Sequence, residues 1–241
     1  MTDSDENARM AVNSLGDHIS KRFNKDLEDL RSSVLSMGGL VETQIERAIE
    51  AIVKGDSELG LKVAHDDYKV NKLEVSIDEE CSRILATRSP AAGDLRLIFA
   101  IIKTITDLER IGDEAEKIGY LASRLAEMDR PADSYGELKN LGQHVRLMVR
   151  DCMDAFARLD TSAALDVIKE DEHVDEEYEA VQRQCITFMM EDPRTIKRVM
   201  NVTWVARSLE RIGDHAKNIC EYVVYMVQGK DVRHTDLQSV D

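Results

Sequence analysis

The 241-residue sequence predicts an all-α fold of two tandem, pseudo-symmetric three-helix bundles built from six long helices. Three observations carry that prediction. Helix breakers are scarce, with 3 prolines and 12 glycines, and aromatic residues, which favour strands, make up only 5% of the chain. Each proline stands where a helix can begin. Ser89-Pro90 and Asp192-Pro193 pair a capping side chain with proline at the first helical position, and Pro131 precedes a candidate cap at Asp133. The third observation is a repeat: LERIGD occurs at Leu108 to Asp113 and again at Leu209 to Asp214.

The repeat extends beyond those six residues. DLERIGDEAEKI (107–118) matches SLERIGDHAKNI (208–219), Glu109 and Glu210 standing 101 positions apart. Upstream, DYKVNKLEVSIDEEC (67–81) aligns more weakly with DEHVDEEYEAVQRQC (171–185), Cys81 and Cys185 standing 104 apart. The punctuation and the repeat together place helices at 18–54, 57–88, 91–128, 134–158, 162–190 and 194–228. Helices of about 30 residues span about 45 Å and suit long bundles. The order is helix, helix, LERIGD helix, then the same again. It predicts a first bundle over 18–130 and a second over 131–229, with polar, frayed segments at 1–17 and 230–241.

Charge narrows the classes of partner. With 32 basic against 47 acidic residues the net charge is −15, so the molecule as a whole repels phosphate backbones and anionic membrane surfaces, and nucleic acid is excluded as a partner. The first twenty residues lack the basic start and apolar core of a signal peptide, and no apolar run is long enough for membrane insertion. A cytoplasmic protein is expected. Cys81, Cys152, Cys185 and Cys220 form no CxxC pair and read as reduced, buried thiols.

A helical wheel shows what the repeated stretch presents. On the third helix Leu97, Ile101, Leu108, Ile111, Ala115 and Ile118 form an apolar arc, and Lys103, Asp107, Arg110, Glu114 and Lys117 share the opposite, solvated face. Glu109 and Asp113 fall at the margin of the arc beside Ile98 and Ile102, and Glu116 joins them one turn on. Glu210 and Asp214 take the same angles in the second copy, where Lys217 replaces the third acid. The second helix carries Asp67, Asn71, Glu74 and Asp78 along one line, and the fifth carries Asp171, Asp175, Tyr178 and Gln182. Carboxylates about 6 Å apart in a partly buried setting repel by roughly 3 kcal/mol at an effective dielectric near 20, so something must answer them. Facing helices with oxygen ligands four residues apart can surround Mg²⁺, Mn²⁺ or iron, and without Cys or His on the stripes zinc is disfavoured. The plainer reading is a salt-bridge ladder with Arg110 or Arg211 on a solvated face. Gly112 and Gly213, each costing about 1 kcal/mol in mid-helix, point to close helix approach.

The runs DYKVNKLEVSIDEEC, ATRSPAAGDLRLIFAIIKTITDLERIGDEAEKI and SLERIGDHAKNICEYVVY together resemble the PhoU family over about residues 18–228. The resemblance implies a homodimer with acidic E(D)xxxD motifs that hold metal ions, singly or in multinuclear clusters. It also implies a negative regulator of the phosphate starvation response that couples PstB, the ATPase subunit of the Pst importer, to the sensor kinase PhoR. Carried over residue by residue, the motif sets Glu109 and Asp113 with Asp67 and Asn71, and Glu210 and Asp214 with Asp171 and Asp175. Asn71 departs from the acid pattern, although an amide oxygen can still coordinate.

Other chemistry is sparse. Glu170 and His173 have the ExxH spacing of di-iron carboxylate enzymes, but that chemistry needs two such pairs. His173, His65 and His215 read as exposed helix residues, and no Gly-rich phosphate loop is present. Trp204 reads either as a partner contact or as filler between bundles. The competing function is a carboxylate-bridged metalloenzyme, an oxidase or a phosphohydrolase; it lacks a nucleophile, acid or base positioned by a second group, so a non-enzymatic regulator is expected.

Overall fold

The structure, a computed structural model, describes residues 21–88, 90–129 and 135–229. Its helices are α1 (Lys21–Lys54), α2 (Ser57–Asp66), α3 (Tyr68–Arg88), α4 (Ala92–Ala126), α5 (Gly136–Arg158), α6 (Thr161–Glu191) and α7 (Ile196–Gln228), with a 3₁₀ turn at Pro193–Thr195 leading into α7. Among the described residues there is no strand. The expected start of the first helix at 18–20, the Ser89 cap and the Pro131–Asp133 junction lie outside the described residues, as do the two terminal segments.

Local chemistry explains most helix ends. The α1–α2 and α5–α6 connections are alike: Asp56 Oδ1 accepts from Leu59 N at 2.9 Å and Asp160 Oδ1 accepts from Ala163 N at 3.0 Å, each capping the next helix. Asp192 Oδ1 accepts from Arg194 N at 3.0 Å and sets Pro193 at the head of its 3₁₀ turn, as the sequence predicts. At the other junction the expectation fails. Pro90 is not the first helical residue: α4 begins at Ala92 with Ala91 as an extended N-cap that makes no side-chain bond.

The expected single helix over 57–88 is also interrupted. Asp67 lies between α2 and α3, and its carbonyl accepts from Val70 N at 2.8 Å and from Asn71 N at 3.3 Å, a 3₁₀-like tightening. The break falls where the Asp67 side chain turns inward against α1 and α4. With α2 and α3 counted as one interrupted helix, six long helices make two bundles, α1 with α2/α3 and α4, and α5 with α6 and α7.

Contacts α4–α7 and α1–α5 join the bundles, so these four helices form the centre and α2/α3 and α6 flank it. One apolar cluster runs through both halves, from Leu30, Met37 and Ile45 on α1 through Ile101, Leu108 and Ile118 to Phe156 on α5 and Ile212 on α7. All four cysteines are buried and free. Close approach is built in where α2 crosses α4: a Cβ on Gly60 would stand 2.6 Å from the Gly119 carbonyl oxygen, and the reciprocal distance is also 2.6 Å.

The central seam corrects the helical wheel. Asp107 and Glu114, expected on the solvated face of α4, are buried against α7, Glu114 with 2% of its surface exposed. His215, expected to be exposed, is half-buried and its Nδ1 lies 2.7 Å from Asp107 Oδ1, while Asn218 Nδ2 donates to the same oxygen at 3.2 Å. Glu114 accepts from Ser208 Oγ at 2.8 Å and pairs with Arg211 and Lys117, each at 2.9 Å. The 101-residue shift carries Asp107 onto Ser208 and Glu114 onto His215. The pairs Asp107–His215 and Ser208–Glu114 are therefore exchanged by the pseudo-twofold axis, the arrangement a self-complementary interface requires.

Candidate metal centre

The first-half acids converge where α4 meets the α2–α3 break. Asp67, 3% exposed, Asp113 and Glu116 each bring a carboxylate oxygen to a point where the three lie within 4.8 Å of one another. Gly112 makes room for this. A Cβ there would meet Asp67 Oδ1 at 2.8 Å and Val70 Cγ1 at 3.2 Å, so the mid-helix glycine admits a carboxylate from the neighbouring helix.

Asp67 is held from two more sides. Gln44 Nε2 on α1 donates to Asp67 Oδ1 at 3.2 Å, and Asn71 Nδ2 donates to Oδ2 at 3.0 Å. Asn71, carried over as an oxygen ligand, thus turns its NH₂ group to Asp67; presenting Oδ1 to a cation requires the amide to rotate. Gln44, 4% exposed, keeps its Oε1 without a hydrogen-bond partner. Glu109 stands at the rim with Arg110, which bridges it at 3.5 Å and Asp113 at 3.3 Å while remaining exposed itself. The salt-bridge ladder is present in this copy, but only at its water-facing edge.

Burial and like charge together raise Asp67, Glu109 and Glu116 above their ordinary carboxylate values. Burial raises Asp67, aided by Asp113 and opposed by the hydrogen bonds from Gln44 and Asn71. Burial also raises Glu109, with Asp113, Glu74 and Asp67 adding to the shift, and it raises Glu116, where Asp67 and Asp113 contribute. A hard cation answers each of these costs, and the oxygen-only donors, the orphan Gln44 oxygen and the space left by Gly112 fit one. Asp67, Asp113 and Glu116 could hold it, with Gln44, Asn71 and Glu109 within the same cluster.

The second half repeats the frame with different occupants. Asp171 is buried, Glu210 is buried, and Asp175 and Asp214 are exposed. Lys217 occupies the place of Glu116, its Nζ 2.7 Å from Asp171 Oδ2. Arg207 pairs with Glu210 and lies 5.9 Å from the ring of Tyr178, the residue aligned with Glu74. Met148 takes the place of Gln44, its sulfur 3.8 Å from a Cβ built on Gly213. Burial and the Asp214 charge push Glu210 up to about 7, and Arg207 limits the rise. Burial, Asp171 and Asp175 raise Asp214, although its side chain as a whole is exposed; burial and Asp171 raise Asp175. On Lys217, burial of the ammonium is outweighed by the hydrogen bond to Asp171, and the group is raised.

The remaining sequence candidates lie apart from these sites. His173 is exposed and stands 3.4 Å from Glu170, whose carboxylate also meets His144 Nε2 at 2.8 Å, and among the described residues no second ExxH pair opposes it. Trp204 is 57% exposed in a groove at the end of the α4–α7 seam, lined by Arg124 and Met128 from the first half and Met200 from the second. Among the described residues no helix is long and apolar enough to cross a membrane.

Two copies of one domain model, described as the PhoU domain, match residues 34–122 and 138–223, which together take in both acid sites. The chain belongs to the PhoU family. Its PhoU relatives match it nearly end to end. A Pseudomonas putida protein named phosphate-specific transport system accessory protein PhoU homolog is 53% identical over 227 residues, 94% of this chain and 89% of the relative. The Escherichia coli K12 phosphate-specific transport system accessory protein PhoU is 47% identical over 228 residues, 94% of each chain. Crystal structures agree in fold. PhoU from Pseudomonas aeruginosa superposes with a TM-score of 0.84 at 51% identity, over 86% of this chain and 100% of that one. The phosphate transport system regulatory protein PhoU from Streptococcus pneumoniae gives 0.81 at 29% identity, over 87% and 99%.

Proposed function

We propose that this PhoU-family chain is a negative regulator of phosphate uptake and of the phosphate starvation response. It links PstB, the ATPase subunit of the Pst importer, to the sensor kinase PhoR through protein–protein contacts, as a cytoplasmic homodimer. Divalent or trivalent cations, iron, manganese or magnesium, load its acidic stripe at Asp67, Asn71, Glu109 and Asp113, and Asp171, Asp175, Glu210 and Asp214 form the matching stripe of the second half.

One observation carries the regulatory reading: the similarity to named accessory proteins of phosphate transport runs along 94% of the chain at about half identity, through both LERIGD copies. The acid cluster supports the metal part, because Asp67, Asp113 and Glu116 are brought together at a helix break that has no other evident use. A bound cation would supply charge neutralisation, fixing α2/α3 to α4 and giving the bundle one shape for its partners to read. The protein's own contribution is to position the carboxylates and keep Gln44 and Asn71 oriented toward them.

The test is genetic and biochemical. A strain lacking this protein should take up phosphate without restraint and express a starvation reporter at high phosphate, and the wild-type chain should restore both. PstB and PhoR should be captured in amounts that differ between high and low phosphate. A normal phosphate response in the deletion strain would refute the reading. The acid cluster also fits a carboxylate-bridged oxidase or phosphohydrolase; metal-dependent turnover of phosphate esters with Mn²⁺, or of oxygen with iron, lost in Asp113→Ala, would favour that enzyme instead.

A further inference from the structure

The two acid sites occupy pseudo-equivalent positions but differ at several aligned residues: Asn71 becomes Asp175 and Glu74 becomes Tyr178, while three other differences each place a cation or a sulfur where the first half has an acid or a neutral oxygen. Glu116 of the first becomes Lys217, Thr106 becomes Arg207, and Gln44 becomes Met148. Lys217 Nζ, 2.7 Å from Asp171 Oδ2, neutralises the buried acid that corresponds to Asp67, and Arg207 pairs with Glu210. In the first site no lysine or arginine among the described residues reaches Asp67; its partners there are the neutral amides of Gln44 and Asn71. The first site also carries the independent sign of a missing ligand, the buried and unpartnered Gln44 Oε1 beside Gly112. In the second site a methionine sulfur, a poor partner for a hard cation, stands at that position.

From these contacts we infer that the two sites are not equivalent: the first-half site takes the metal ion, and Lys217 is the resident cation of the second. The inference rests on the metal reading above and deepens it. Both halves need positive charge against the inward-turned aspartate at the helix crossing. The second supplies it covalently, through an ammonium that cannot be chelated, so it is a permanently closed copy. The first leaves the position to an exchangeable ion, so only that half can register metal supply. Glu210 keeps one oxygen without a partner, so the second site remains convertible once Lys217 is replaced by an acid.

The experiment is a calorimetric titration of the chelator-stripped full chain with Mn²⁺, beside elemental analysis, with circular dichroism to verify that every variant is helical. Asp113→Asn and Glu116→Lys should each weaken the tightest Mn²⁺ step by about a hundredfold or more. Asp214→Asn should leave that step within about twofold of wild type, and Lys217→Glu should add a second step of comparable affinity. Equal weakening by Asp113→Asn and Asp214→Asn, or a folded Lys217→Glu variant with unchanged stoichiometry, would overturn the inference while leaving metal binding intact. A wild-type chain that takes no Mn²⁺ would overturn the metal reading and this inference with it. A readout free of metal checks the role of the ammonium: in chelator, Lys217→Met should lower the melting temperature, and Asp171→Asn on that background should restore it. A Lys217→Met protein as stable as wild type would count against a resident cation.

Discussion

Substituting alanine for each LERIGD glycine in turn puts the account of the helix crossing at risk, because the two copies should respond differently to the same change. Alanine gains about 1 kcal/mol of helix propensity over glycine at either position. At Gly112 the new Cβ meets Asp67 Oδ1 at 2.8 Å and Val70 Cγ1 at 3.2 Å, so the buried carboxylate must move by several tenths of an ångström. Overpacking of that kind costs about 1–3 kcal/mol, and strained hydrogen bonds to Gln44 and Asn71 add to it. The net expectation for Gly112→Ala is a loss of about 1 kcal/mol, or roughly 3 °C in melting temperature for a chain of this size. At Gly213 the nearest atoms stand at 3.3 Å, on Val174, and 3.4 Å, on Asp171, which small adjustments accommodate. Gly213→Ala should therefore be neutral or stabilising by up to about 1 kcal/mol. Urea and thermal unfolding of the two chelated variants measure the difference. A Gly112→Ala protein as stable as wild type, or a Gly213→Ala protein that is the weaker of the two, would refute the packing argument.

Further expectations use the same duplication. Glu210 has a folded value of about 7 above an unfolded value of 4.5, so the folded chain binds its proton more tightly. The stability this contributes is complete below about pH 4.5 and is lost as pH rises to 7, by at most about 3 kcal/mol and less as Arg207 and water screen the charge. Glu210→Gln should flatten that slope in urea unfolding across the same window; a variant curve parallel to wild type would show that the acid is not so placed. The two LERIGD arginines should also differ. Arg211 pairs with buried Glu114 across the bundle seam, and Arg211→Met should lose about 1–3 kcal/mol. Arg110 is exposed, and Arg110→Met should change stability by less than about 0.5 kcal/mol. Equal losses at both would contradict the buried seam.

Much of this architecture was legible in the order of residues. The duplicated LERIGD with its glycine predicts two copies of one crossing, and the wheel places Glu109 and Asp113 at the margin of the core, where they stand. Asp107 and Glu114 were not legible. A single helix cannot tell a solvated face from one covered by a second bundle when both are polar, and the signal lay in the other copy, where Ser208 and His215 stand at the aligned positions. The break at Asp67 left no trace because HDDYK contains neither glycine nor proline; it arises from tertiary contacts to Gln44 and Gly112. Gln44 itself, an amide between Val41 and Ile45 on an apolar stripe, was a local signal of a buried polar role. Glu116 lay on the acid margin in the wheel, yet the motif carried over from the family leaves it out, and distance alone brings it beside Asp67 and Asp113.

The central claim is that the first-half acids hold a cation. Elemental analysis of the wild-type chain beside Glu109→Ala/Asp113→Ala, both purified without chelator, tests it most directly. The account predicts bound iron, manganese or magnesium on the wild type, largely lost from the variant while its helical circular dichroism is kept. Equal metal content in the two proteins would contradict it.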